Sequence, residues 1–240
     1  DDTQTKYLQY AESFWQMVID KHTYVTGGNS EDEHFGADNV LDGERTVCNN
    51  ETCNTYNMLK LSRRLFVITG DKKYADYYET TLINAIMSSQ DHKTGLTMYF
   101  QPMASGYQKV FGTLENSFWC CTGSGMENFT KLQDSIYFKG KNVIAVNQYL
   151  ASKATGDGYV IEQMGDLSKS DTMTFKVSGD SITFNLKLRM PYWVKDGKAT
   201  VKFGDEEYDY EVKDGYIVIP NEKISQGAEF GIKLPMEVKA

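Results

Sequence analysis

The sequence has no basic cluster, no long apolar run, and no cysteine or histidine after residue 121. Its 25 lysine and arginine residues are outnumbered by 33 aspartate and glutamate residues, which gives a formal net charge of −8. Nucleic acid and anionic membranes are therefore not expected as partners. No apolar run approaches the length of a membrane span, so we expect no transmembrane segment. The compartment stays open, with the periplasm or secretion favoured over the cytoplasm.

Cysteine is scarce, and the four cysteines are Cys48, Cys53, Cys120 and Cys121, none of them in the part rich in short alternating apolar runs. Adjacent cysteines rarely form a disulfide with each other. Two disulfides would each have to use one member of the Cys120–Cys121 pair, which strain disfavours. A metal site is the better use of such a cluster, and buried structural thiols remain the alternative.

The hydrophobic pattern changes near residue 140. Apolar residues at helical spacing predict four helices, over residues 3–22, 50–70, 72–88 and 124–138. Beyond Asn142, eight short alternating runs separated by Asp-Gly and Gly-Asp turns predict an antiparallel β-sandwich. The predicted fold class is α+β, with a helical domain over residues 1–140 and a β-sandwich over residues 141–240. The helical aromatic residues outnumber the partners that four helices supply, so we expect an incomplete segment of a larger helical toroid.

The adjacent cysteines precede a predicted helix start. Ser124 with Glu127 three residues later is typical of a capping box, which would begin a helix at this point. Cys120 and Cys121 would then lie just before a helix N-terminus, whose unpaired N–H groups favour a thiolate over a thiol.

A carboxylate and a third sulfur stand near the start of the second predicted helix. Glu51 and Cys53 can converge at a loose first turn, and with Cys120 and Cys121 they supply three sulfurs and one carboxylate. Such a set suits tetrahedral zinc, although the spacing is not that of a common zinc finger. Chemistry alone leaves a zinc site and buried structural thiols as open alternatives.

Several motifs between residues 27 and 128 resemble those of a known family. They are Gly27-Gly28-Asn29-Ser30, Glu33-His34-Phe35, Glu51-Thr52-Cys53, Phe118-Trp119-Cys120-Cys121 and Gly125-Met126-Glu127-Asn128. In order and approximate spacing they resemble the β-L-arabinofuranosidase family of glycoside hydrolases, and the resemblance covers nearly the whole chain. It implies an (α/α)6 barrel followed by β-sandwich modules. Because that barrel extends upstream, this chain is expected to be a fragment with little activity alone.

The resemblance also implies a metal centre and its chemistry. Zinc would be held by Glu51, Cys53, Cys120 and Cys121. Cys120 would in addition be the nucleophile of a retaining glycosidase. No family role corresponds to Cys48.

Two further residues receive roles by the same resemblance. Glu33 would be the general acid/base, and a mostly apolar site would raise its pKa for that role. Without the resemblance, its neighbours Glu31, Asp32 and His34 favour a solvated acidic loop. Tyr99 would match a tyrosine that contacts the sugar. His34 is a candidate for sugar contact, with a surface histidine as the open alternative.

The implied function is a zinc-dependent retaining exo-glycosidase that releases β-L-arabinofuranose from plant-type glycans. A related glycosidase for another sugar is one alternative, because a scaffold does not fix a substrate. A non-catalytic carbohydrate-binding module with a structural zinc is the other. The expected partners are a carbohydrate and either a second copy of the chain or a missing N-terminal half of the barrel.

Overall fold

The computed structural model describes residues 2–238 of the chain. These residues divide between Gln133 and Asp134 into two compact units, the first helical and the second rich in β-strands. No helix among the described residues is both long and apolar enough to cross a membrane.

Helix α1, Asp2–His22, buries one narrow stripe of its surface. Trp15 and Val18 are buried, and the Trp15 indole Nε1 donates a hydrogen bond to Ser62 Oγ at 2.8 Å. The rings of Tyr7 and Phe14 share the helical spacing of Trp15, yet both are exposed. The apolar periodicity therefore predicted the helix, and residues 2–238 cover only part of its apolar face.

The next two helices form a hairpin. Helix α2, Thr52–Thr69, ends at Gly70, whose φ of 71° requires the left-handed region that glycine adopts at low cost. Helix α3, Lys72–Thr81, begins at Asp71, whose side chain accepts a hydrogen bond from the Lys73 N–H.

The helical segment after α3 does not keep regular α geometry. It continues as a π-helical turn, Leu82–Ile86, and a 3-10 turn, Met87–Ser89. Leu82, Ala85 and Ile86 are almost completely buried, which continues the regular spacing of three and four residues from Tyr78. Ile83, which the apolar pattern was expected to place inward, is 45% exposed.

Helix α4, Cys121–Thr130, starts earlier and ends earlier than expected. The predicted capping box is wrong, because Cys120 is the residue at the N-cap and Ser124 lies inside the helix. The predicted extension to residue 138 is also wrong, because the first β-strand already begins at Tyr137. A further one-turn helix, α5, follows later at Asn221–Ile224.

The second unit contains two sheets. In chain order the strands are β1 Tyr137–Gly140, β2 Val143–Val146, β3 Ser152–Gly156, β4 Tyr159–Met164, β5 Thr172–Ser178, β6 Asn185–Arg189, β7 Thr200–Phe203, β8 Glu206–Tyr208, β9 Val212–Lys213, β10 Tyr216–Ile219 and β11 Ala228–Lys233. One sheet has the strand order β1-β2-β6-β10-β9, and the other has the order β3-β4-β5-β11-β7-β8. All recorded pairings are antiparallel except β2 with β6, which run parallel.

Both sheets contribute to one hydrophobic core. Val146, Leu188 and Ile217 from the first sheet and Phe175 and Phe230 from the second are almost completely buried in it. The Phe175 and Phe230 rings stack with their centroids 5.3 Å apart. Two sheets that face a shared core confirm the predicted β-sandwich, and the overall fold class is α+β as predicted.

Candidate active site and metal centre

Glu33 lies at the tip of a two-residue turn. Glu31 and His34 exchange two backbone hydrogen bonds of 2.9 Å, so Asp32 and Glu33 are the central residues of the turn. Both central residues have positive φ, 44° and 65°, which is the geometry of a type I′ turn. Asparagine and glycine are usual at these positions, and a glutamate there is strained. Strain of this kind is frequently found at functional sites.

The start of helix α2 is fastened to two neighbouring loops. The Glu51 N–H donates to Ser30 Oγ at 3.2 Å, and the Thr52 N–H donates to the Tyr99 carbonyl at 3.0 Å. The Thr52 hydroxyl donates to the Met98 carbonyl at 2.9 Å. These bonds fix the first turn of α2, and with it the side chains of Glu51 and Cys53.

The adjacent cysteines occupy very different environments at the start of helix α4. Cys120 has φ 42° and ψ −109°, a strained conformation for a residue that is not glycine. It is exposed, whereas Cys121 is fully buried as the first helical residue. Gly125, one turn further on, packs so closely on Thr97 that an added Cβ would lie 2.3 Å from the Thr97 hydroxyl. The start of α4 is therefore positioned by the backbone conformation of Cys120 before it and by the packing of Gly125 on Thr97 after it.

The four predicted zinc ligands come together in space. One ligand atom from each of Glu51, Cys53, Cys120 and Cys121 lies within 4.8 Å of every other. The Cys53 and Cys120 sulfurs are 3.6 Å apart, and the Cys121 sulfur lies 3.4 Å from Glu51 Oε1. Ligands of a tetrahedral zinc, with Zn–S about 2.3 Å and Zn–O about 2.1 Å, are separated by roughly 3.5–3.8 Å. Small side-chain movements would thus let this donor set enclose one ion.

The electrostatics of the cluster are consistent with a cation site. Burial raises the pKa of the Cys121 thiol, and the neighbouring Cys53 raises it further. Burial likewise raises the pKa of the Cys53 thiol and of the Glu51 carboxyl, the latter partly offset by a hydrogen bond from Cys121. Placing several anions side by side in a partly buried site is unfavourable without a compensating positive charge. A divalent cation would supply that charge.

Tyr99 connects the two residues expected to perform the chemistry. Its hydroxyl donates a short hydrogen bond to Glu33 Oε1 and also contacts the Cys120 thiol. Burial raises the Tyr99 pKa, and the nearby Cys120 thiol and Glu33 carboxylate raise it further. The Tyr99 hydroxyl is therefore held protonated between the proposed nucleophile and the proposed acid/base.

The surroundings of Glu33 differ from those that the family resemblance implies. Glu33 is exposed, so among residues 2–238 it does not have the apolar surroundings expected around it. His34, on the same turn, is also exposed, and its ring Nδ1 lies 2.5 Å from the Asp32 carbonyl oxygen. The His34 ring thus contacts its own turn.

Two residues near the site have roles that the sequence patterns did not predict. Asn49 had no predicted role, and Ser124 was predicted only as a helix cap. Asn49 is fully buried and joins the loops, since its Nδ2 donates to the Glu44 carbonyl at 2.8 Å and its Oδ1 accepts the Thr46 N–H at 2.6 Å. Ser124 places its hydroxyl 2.9 Å from the Cys53 sulfur. The signal for Ser124 was its position three residues after Cys121, which puts both on the same side of α4. Cys48 is not part of the four-residue cluster.

Comparisons with known proteins agree on the class to which this fold and site belong. The chain matches the description "Beta-L-arabinofuranosidase, GH127 catalytic domain" over residues 2–134. It matches "Beta-L-arabinofuranosidase, GH127 middle domain" over residues 143–236. Both descriptions define parts of a glycoside hydrolase. The chain belongs to the GH127 family of β-L-arabinofuranosidases.

Solved structures show the same architecture. A GH127 β-L-arabinofuranosidase from Geobacillus stearothermophilus T6 matches with a TM-score of 0.78 and 25% identity, covering 94% of this chain and 38% of that one. The GH127 β-arabinofuranosidase BT3674 has the same fold, with a TM-score of 0.76 and 22% identity over 93% of this chain and 38% of that one. A search among curated proteins found no match. The chain thus spans a little over a third of the length of these two structures.

Proposed function

We propose that this chain carries the catalytic centre of a zinc-dependent retaining exo-glycosidase that releases β-L-arabinofuranose from plant-type glycans. The observation that carries the proposal is the convergence of Glu51, Cys53, Cys120 and Cys121 within 4.8 Å, because this donor set fits one zinc ion. Family membership supports a carbohydrate substrate.

In the proposed reaction the two steps of a retaining glycosidase use Cys120 and Glu33. The Cys120 sulfur attacks the anomeric carbon while Glu33 gives its proton to the departing glycosidic oxygen, which leaves a thioether between sugar and cysteine. Glu33 then takes a proton from water, and the water oxygen displaces the sulfur, whose electron pair returns to Cys120. A bound zinc ion would keep the thiol of Cys120 ionised and make its sulfur a better leaving group.

Tyr99 and His34 are proposed to help bind the sugar. The Tyr99 hydroxyl bridges Cys120 and Glu33, so a sugar placed between the attacking sulfur and the proton donor would lie next to it. His34 is exposed on the same turn as Glu33.

We also propose that the walls of the sugar pocket come largely from outside this chain. The rings of Tyr7 and Tyr10 on helix α1 are 68% and 59% exposed, so the described residues leave both largely uncovered. The 240-residue chain alone is then expected to hydrolyse arabinofuranosides poorly. Turnover within tenfold of that of a GH127 relative, assayed side by side, would contradict this part of the proposal.

The decisive experiment on the chemistry is replacement of the nucleophile. Cys120→Ser is made in the full-length protein that contains this chain. The variant is expected to abolish turnover of an aryl β-L-arabinofuranoside, while its circular dichroism spectrum stays that of the parent. NMR of the first-formed product should show the parental enzyme retaining the anomeric configuration. Unchanged turnover by the variant would exclude the cysteine mechanism, and a panel of other aryl glycosides identifies the sugar if arabinofuranosides are not hydrolysed.

A further inference from the structure

Ser124 reaches across from helix α4 to a sulfur on helix α2. Its Oγ lies 2.9 Å from Cys53 Sγ, and the two residues are separated by 71 positions in the sequence. Serine inside a helix commonly returns its hydroxyl to the carbonyl four residues earlier. Here the recorded bond to the Cys120 carbonyl comes from the backbone N–H of Ser124, at 3.2 Å, and the hydroxyl is directed to the sulfur.

Either atom of this pair could be the donor when the site holds no ion. With zinc bound, Cys53 would be a thiolate with no proton to donate, so the Ser124 hydroxyl would be the donor. The Cys121 sulfur accepts a hydrogen bond as well, from the Cys53 backbone N–H at 3.2 Å. Two of the three sulfurs in the cluster therefore receive a proton donor from the protein.

The third sulfur is treated differently. Cys120 is exposed, and the hydroxyl beside it belongs to Tyr99, whose single proton is donated to Glu33. A hydrogen bond to a thiolate draws negative charge from the sulfur and lowers its tendency to attack carbon. The sulfurs of Cys53 and Cys121 are in this way made less reactive than that of Cys120.

We propose that Ser124 is a positioning residue that keeps Cys53 a metal ligand and leaves Cys120 as the reactive sulfur. The inference rests on the zinc centre of the proposed function, and its new content is the role of the Ser124 hydroxyl. Groups that hydrogen-bond to metal ligands commonly change metal affinity by roughly 10–100-fold when they are removed.

The test combines zinc affinity with the reactivity of individual cysteines. In Ser124→Ala, competition with a chromophoric chelator should show zinc affinity reduced by about tenfold or more. Iodoacetamide labelling of the zinc-loaded chain, mapped by mass spectrometry, should show Cys53 alkylated faster than in the parent. Ser124→Thr retains a hydroxyl and should restore both properties.

A matched control lies on the same helix. The Thr122 hydroxyl donates to the Ser117 carbonyl at 2.6 Å and not to a sulfur, so Thr122→Val removes a hydroxyl without touching the cluster's sulfurs. Its zinc affinity and its labelling pattern should equal those of the parent.

The outcomes separate this inference from the proposed function. If the parent binds zinc and Ser124→Ala matches it in both measurements, the role of Ser124 is overturned and the zinc centre stands. If the parent chain binds no zinc, both are overturned. If the alanine variant does not fold, the alkylation rates of Cys53 and Cys120 are compared in the zinc-loaded parent. Cys120 should react faster, and equal rates would contradict the proposal.

Discussion

The Cys53 and Cys120 sulfurs lie 3.6 Å apart, although 67 positions separate the two residues in the sequence. This distance is far longer than the roughly 2.05 Å of a disulfide, and both thiols are free. It is close to the separation of about 3.8 Å between two sulfur ligands on one tetrahedral zinc. Because Cys53 lies in the first turn of α2 and Cys120 is the N-cap residue of α4, the starts of the two helices meet at one site.

Metal content tests this site directly. Protein purified without added metal should contain about one zinc per chain by mass spectrometry, and Cys53→Ser should lose it. Cys48→Ser is the matched control, because Cys48 lies outside the cluster, and it should retain the metal. A chelator should lower the melting temperature of the parent and of Cys48→Ser but not that of Cys53→Ser. Loss of zinc in both variants would argue against the ligand set.

Removing the proposed acid/base should affect poor leaving groups most. Glu33→Gln is expected to lower kcat/KM by roughly 10²–10⁴-fold on natural glycosides, because no group then protonates the departing oxygen. Activated aryl glycosides should lose much less in the first step. Asp32→Asn changes the neighbouring exposed acid of the same turn and should leave both rates near those of the parent. Equal losses in the two variants would remove Glu33 from the mechanism.

The hydroxyl of Tyr99 provides a third test. Tyr99→Phe removes the hydrogen bond to Glu33 and the contact with Cys120, and we expect kcat to fall by roughly tenfold to a hundredfold. Tyr107→Phe removes a hydroxyl from an exposed tyrosine in the loop that follows, and it should have no effect. A Tyr99→Phe enzyme with parental kcat would show that this hydroxyl only stabilises the apo structure.

The close packing of helix α4 on Thr97 can be tested by replacing two glycines of this helix, Gly123 and Gly125. Gly125→Ala would place a methyl group 2.3 Å from the Thr97 hydroxyl, which should lower the free energy of unfolding by about 1–3 kcal/mol. Gly123→Ala meets no atom within 4 Å and should stabilise the helix by up to about 1 kcal/mol. Urea titration of both variants measures the difference. Similar values would mean that α4 does not pack on Thr97 in solution.

The sequence predicted those parts of the fold that depend on local patterns. Apolar spacing predicted α1, and Gly70 marked the end of α2. The start of α4 was missed because the Ser124 hydroxyl bonds to a sulfur on another helix, a contact that no local rule contains. The parallel pairing of β2 with β6 was missed for the same reason. The alternation of apolar and polar residues predicts a strand but does not show which distant strand it pairs with.

The candidate site shows the same division. The ligand types of Glu51, Cys53, Cys120 and Cys121 were recognisable from their chemistry and from a family resemblance, but their convergence depends on the docking of α2 and α4. The exposure of Glu33 agrees with the solvated acidic loop that its charged neighbours favour, whereas the apolar surroundings implied by the resemblance are not formed by the described residues. The positive φ at both central residues of its turn left no signal in the sequence.

The cluster also has a consequence for the order of folding. Its ligands come from two helix starts, with Cys53 and Cys121 separated by 68 positions. Closing a chain loop of that length costs about 4 kcal/mol of conformational free energy in a loop-closure model, and the docking of the two helices supplies this before the ion binds. The ligands meet only after α2 and α4 have docked, so tight metal binding would be a late event. The rate of metal capture during refolding would then report when the helical unit is complete.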